Sequence, residues 1–172
     1  MAKSTFSGPI RSLAGIITAG NANVVSLTAD TTLTVDAHAG KILTTNDADG
    51  KFTLPSINVN ANGASAGDND FNNLNNIGAS FHFFVETAAT DMDIKTDGTD
   101  KFKGAIMIGV NDGSKKAFVP GATNDVITMN GSTKGGIAGS VVSFTAIDTA
   151  TYLVHNSLLI GSGTIVTPFA DA

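Results

Sequence analysis

The sequence predicts an all-β domain, an antiparallel β-sandwich or jelly roll with an extended N-terminal arm, and three observations carry that reading. Short apolar and Thr-rich runs recur at close spacing, each bounded by Gly, Asn, Asp or Pro. Good helix formers are scarce, with Glu86 the one Glu and Arg11 the one Arg among 172 residues, while Val, Ile and Thr favour strands. No stretch holds a convincing helical period.

The element order starts from an arm. Residues 1–23 mix a few anchors with Ser and Gly, and Pro9 excludes a helix and biases Gly8 towards extended geometry. Such a segment either docks as an added strand or frays as a terminus. The domain proper is expected over 24–172. Runs at 24–28, 31–35, 41–45 and 51–54 are short strands, separated by Ala29-Asp30, Ala37-His38-Ala39-Gly40 and Asp47-Ala48-Asp49-Gly50 and closed by Pro55. The segment 58–76 holds eight Asn in nineteen residues and too few apolar groups to bury, so it reads as a surface loop or insertion.

In Ile77 to Thr87, Phe81, Phe83 and Val85 share one face and His82, Phe84 and Glu86 the other, which predicts a central strand covered in part on both sides. Residues 92–96 are expected to pair with it. Strands follow at 101–109 and 115–119. The stretch 125–163 then reads as a meander around which the rest is organised: a strand at 125–129, a tight turn at Asn130-Gly131, a strand at 140–147, a turn at Asp148-Thr149-Ala150, and a strand at 151–155. In the second of these, Val142, Phe144 and Ala146 form the apolar face. The total is ten to twelve strands.

Composition limits the function. A chain of this length can bury about 70% of its unfolded surface in one core. It has no Cys, which removes disulfides, thiol catalysis and Cys-ligated zinc. Charged residues are only 15%, so Thr, Ser, Asn and Gly must cover the surface. A net charge of −5 argues against nucleic acid as partner, because phosphate binding needs a concentrated basic face. Lys101, Lys103, Lys115 and Lys116 come nearest to one and read as solvated strand edges, where Lys blocks unwanted pairing. No apolar run approaches a membrane span, and Ser, Gly and Pro stand where a secretion signal would be apolar.

Motifs with chemical precedent lack their context. Gly63-Ala64-Ser65-Ala66-Gly67 matches a nucleophile elbow as a string, but within the Asn-rich segment and without a flanking strand and helix. Asp47-Ala48-Asp49-Gly50 begins like a calcium loop, yet Lys51 stands where an oxygen ligand is needed. Asp91, Asp93, Asp97 and Asp100 fit hairpin turns better than a cation site. His38, His82 and His155 have no ligand spacing. Asn130-Gly131-Ser132 is formally a glycosylation sequon but reads as a turn, and the glycine run 135–139 leads into a strand instead of a helix N-terminus. The expectation is of no enzyme, no cofactor and no metal.

MAKSTFSGP followed by IRSLAG, the middle strings GASFHFFV and DKFKGA, DVITMNGSTKGGIAGS and the closing GSGTIVTPF resemble a family of small structural proteins of tailed bacteriophages, including marine and cyanobacterial phages. The resemblance spans both ends and the second half and leaves out the Asn-rich loop. It implies a capsid decoration (cement) protein, an all-β homotrimer on the outer capsid surface whose terminal segments touch the major capsid protein. On that expectation Lys3, Phe6, Ile10, Arg11 and Leu13 dock on the shell, with Phe6 and Leu13 as apolar anchors and Arg11 as the ion-pairing hot spot. The alternative is a tail or head fibre domain that binds host-surface carbohydrate through the Asn-rich loop. The absence of Trp and the presence of a single Tyr, Tyr152, weigh against it.

Overall fold

The structure, a computed structural model, describes residues 23–58 and 75–172. These form thirteen strands and one helical turn: β1 Val24–Leu27, β2 Thr31–Thr32, α1 Val35–His38, β3 Ile42–Thr45, β4 Lys51–Thr53, β5 Ser80–Val85, β6 Met92–Lys95, β7 Lys101–Gly104, β8 Ile106–Val110, β9 Lys115–Phe118, β10 Val126–Met129, β11 Val141–Ala146, β12 Thr151–Gly161 and β13 Phe169–Ala170. The all-β sandwich expected from the strand spacing is what these elements build. A larger sheet runs β1-β3-β5-β11-β12-β8-β9, with β7 also on β12, and faces a smaller sheet ordered β13-β10-β6-β4-β2.

The pairing is mixed, not purely antiparallel. From β1 to β6 the chain changes sheet at every step, so β1, β3 and β5 lie parallel in one sheet and β2, β4 and β6 parallel in the other. The connections expected to be hairpins are therefore arches that cross the sandwich. Residues 92–96 consequently do not pair with β5. β6 lies in the smaller sheet between β4 and β10, and Ala89, buried in the crossing, donates its N–H to Gly136 O at 2.8 Å.

The meander at 125–163 is divided in the same way. β11 and β12 form the expected antiparallel hairpin at the centre of the larger sheet, but β10 belongs to the smaller one, between β6 and β13. Asn130-Gly131 turns the chain out of one sheet towards the other. Asn130 Oδ1 accepts the N–H of Ser132 (3.0 Å) and of Lys134 (2.9 Å), and its Nδ2 donates to Thr133 (3.1 Å). Gly131 needs its positive φ there, and a Cβ would stand 2.3 Å from Ala89 O.

β12 is twice as long as 151–155 because it serves two partners in succession, β7 and then β8, both parallel to it. Gly104, with φ +108 and no room for a Cβ against Val154 O, makes the break between those two. A bulge opposite β11 resets the phase of β12: Tyr152 and Val154 point inward before it, Leu159 and Gly161 after it, and Asn156 sits between with φ 45.

The core follows from strict alternation on the inner faces. Phe81, Phe83 and Val85 of β5 and Val142, Phe144 and Ala146 of β11 are all buried, as the sequence pattern required. They meet Phe52, Ile94, Ile127 and Met129 from the smaller sheet. Phe83 stands edge-on to Phe144 at 5.7 Å and 6.1 Å from Phe52, which joins the two sheets at the centre.

Candidate interaction face

Alternation that buries one side of the larger sheet exposes the other, and register decides which exposed residues become neighbours. Across seven of the eight strands of the sheet, all but β7, one row reads Ser26, Thr44, Phe84, Val141, Leu158, Met107 and Ala117. The next reads Val24, Ile42, His82, Ser143 and His155. The larger apolar members of the first row and Val24 and Ile42 of the second are 37% to 49% exposed, in one band from edge to edge. Neither row contains Asp, Glu, Lys or Arg, although the chain carries a net charge of −5. A connected apolar strip in rows without charged side chains is the usual mark of a protein contact.

The polar groups beside the band are held by one another. Ser143 Oγ lies 3.0 Å from His82 Nδ1, and Thr145 Oγ1 bonds both His155 Nε2 and Ser80 Oγ at 2.8 Å. Burial, and then the neighbouring His82, push His155 below the ordinary histidine value, so it stays neutral further into acid. The bulge at Asn156 opens a shallow cleft of about 370 Å3 next to the band, lined by Ile42, His82, Phe84, Val141 and Ser143. The Ser143 and His82 pair has the spacing of a nucleophile and base. Ser143, however, lies inside a strand hydrogen-bonded on both edges, whose N–H groups serve the sheet instead of an oxyanion.

The five predicted docking residues, Lys3, Phe6, Ile10, Arg11 and Leu13, lie outside the described residues, as do Gly63 to Gly67 and most of the Asn-rich segment. The foot of that segment is described and closed. Asn58 N donates to Asn76 Oδ1 (2.8 Å), Asn76 N to Asn58 O (3.0 Å), and Asn76 Nδ2 to Ser56 O (2.8 Å). Beneath it Tyr152 is fully buried and donates to Pro55 O at 2.6 Å, so its ring offers no face to a sugar.

The remaining titratable groups have local tasks. Lys51 holds Asp91 and Asp93 at 3.1 and 3.0 Å, its ammonium supplying the positive charge between the two carboxylates. Asp97 closes its turn by accepting from Thr99 and Asp100. Burial alone would raise it, but bonds from Ser56, Thr99 and Asp100 outweigh this and leave it lowered. Among the described residues no three His, Asp or Glu side chains converge as a metal would need. Lys115 and Lys116 lie on the edge strand β9, as expected, whereas Lys101, expected on a solvated edge, instead neutralises the buried Asp125 at 2.5 Å. His38 ends α1, against the Thr34 N-cap.

Sequence reasoning missed the band itself. Nothing in the local sequence singles out Ile42, Leu158 or Met107, because only the register between distant strands lines them up with Phe84. Comparison of the chain with protein-family models, with curated proteins and with solved structures gives no match.

Proposed function

We propose that this chain is a structural virion protein of a tailed phage, one that decorates the outer surface of the capsid and stabilises it by bridging major capsid protein subunits. The observation that carries the reading is the part-apolar band across the outer face of the larger sheet, whose two rows hold no charged side chain. It is a broad surface suited to packing against protein, with neighbouring polar groups already satisfied among themselves. The resemblance of both ends and the second half to phage decoration proteins gives the setting. In such a setting each contact is modest, and repetition over a symmetric shell converts weak contacts into avidity. The arm supplies the grip on the shell through Phe6, Ile10 and Leu13, with Lys3 and Arg11 pairing with shell carboxylates.

The test is occupancy on expanded capsids, counted by electron microscopy, for the full chain and for a chain lacking residues 1–15. Loss of binding by a truncated chain that keeps its β-sheet circular dichroism is the expected result. Full occupancy by the truncated chain would remove the proposal.

A further inference from the structure

The same register that builds the band also sets charges at its two ends. Just past the end of β5, Glu86 is exposed beside the band, where its carboxylate accepts from Asn46 Nδ2 at 2.9 Å, and Lys115 of β9 lies opposite Gly109, two residues along β8 from Met107. Both are exposed, and four strand spacings separate them, with β12 halfway between. A two-fold axis lying in the contact plane along β12 therefore brings Glu86 of one copy over Lys115 of the other, twice. It also sets Val141 against Met107, Phe84 against Ala117, and Leu158 against its own counterpart.

We propose that this face is a contact between two copies of the chain, packed face to face about that axis. Three features favour a second copy over other occupants. The positions of the band and its two end charges map onto one another under a single axis, which an isologous contact requires. The band is free of carboxylates in a chain of net charge −5, so it offers two like-charged copies an approach without repulsion at the centre. And its extent suits a weak pair: five strands about 4.8 Å apart and three rows deep cover roughly 500 Å2 per copy, about 1,000 Å2 in all, at the threshold of a specific interface. Sheets stacked this way cross at about 30° because each is twisted, which a small tilt of the axis supplies. The inference does not depend on the shell reading, since it concerns the free protein in solution.

Light scattering or sedimentation of the full chain from about 1 μM to about 1 mM tests it. A two-chain mass is expected to replace the 17.4 kDa chain with rising concentration. Leu158→Lys sets two ammonium groups against each other on the axis and should hold the protein at one chain. Glu86→Lys and Lys115→Glu should each weaken pairing at least about tenfold, and the double reversal should restore it. Val166→Asp, exposed in the connection between β12 and β13, should pair like the parent. Unchanged circular dichroism and melting temperature show that each variant is folded. A single-chain mass throughout, a three-chain mass, pairing that survives Leu158→Lys, or pairing lost only when residues 1–22 are removed would each overturn the inference. Capsid occupancy of the chain lacking residues 1–15, which leaves this face untouched, tells this failure from failure of the shell reading.

Discussion

Replacing Phe83 and Phe84 by alanine, one at a time, tests the face assignment on which both proposals depend. The two are adjacent and chemically identical, and they differ only in the side of β5 they occupy. Phe83 is 2% exposed and touches the rings of Phe52 and Phe144 between the sheets. Its removal leaves a cavity that the rigid neighbours cannot close, at a cost of about 3–5 kcal/mol. Phe84 is 38% exposed. Full burial of such a side chain contributes about 1.5–3 kcal/mol, so partial burial without a cavity makes the loss about 1 kcal/mol. At about 2–4 °C per kcal/mol for a chain of this size, Phe83→Ala should lower the melting temperature by roughly 6–20 °C and Phe84→Ala by roughly 2–4 °C. The melts belong at the lowest workable concentration, because pairing through Phe84 would add a concentration-dependent increment. Equal losses, or a larger loss at Phe84, would refute the register of the larger sheet.

Two further predictions concern buried polar groups. Tyr152, the single Tyr in a chain without Trp, is pushed well up by burial and then by the charges of Asp100 and Asp97. The unfolded chain then loses that proton first, so this contribution to stability is full below about pH 10 and declines above it. The phenolate absorbance should therefore appear only together with loss of the sheet signal, and a phenolate forming in folded protein near pH 10 would contradict the burial. Asp125 behaves in the opposite sense: burial raises it, but Lys101 and the N–H of Ala172 outweigh that and leave it lowered. Its contribution is present above about pH 3.9 and is lost as pH falls through the lower folded value. Lys101→Met should cost about 1–3 kcal/mol at neutral pH and flatten the acid limb of the stability curve. Urea titrations at several pH values read both effects, and an unchanged acid limb would show that the pair does not couple to folding.

Much of the fold was legible because burial on one side of a sheet imposes a period of two on the sequence. Phe81-His82-Phe83-Phe84-Val85 and Val142-Ser143-Phe144-Thr145-Ala146 gave the inner faces of β5 and β11 correctly. Topology was less legible. A link such as Ala29-Asp30 or Asp47 to Gly50 is short and polar whether it reverses the chain within one sheet or carries it about 10 Å across to the other, so composition alone did not separate a hairpin from an arch. The length of β12 was hidden for a related reason. The bulge at Asn156 inverts the alternation, and two half-strands out of phase look like one short strand followed by a loop.

The interaction face illustrates the same limit at the level of function. Each of its apolar members is unremarkable alone, since single exposed hydrophobic residues are common on any protein. Ile42, Phe84, Val141, Leu158 and Met107 come from four separate stretches of sequence, and their meaning arises from pairings over long sequence separations. Parallel β3 on β5 and parallel β8 on β12 are what bring the two ends of the band into line. Had β3 paired with β4 through the turn at Asp47 to Gly50, its register would have been set by that turn and not by the arch, and Thr44 and Ile42 would have no fixed relation to Phe84. The coiled path of the first six strands thus fixes the outer surface as firmly as it fixes the core, and a substitution that loosens one arch, such as the buried Ala89→Asp, should disturb both together.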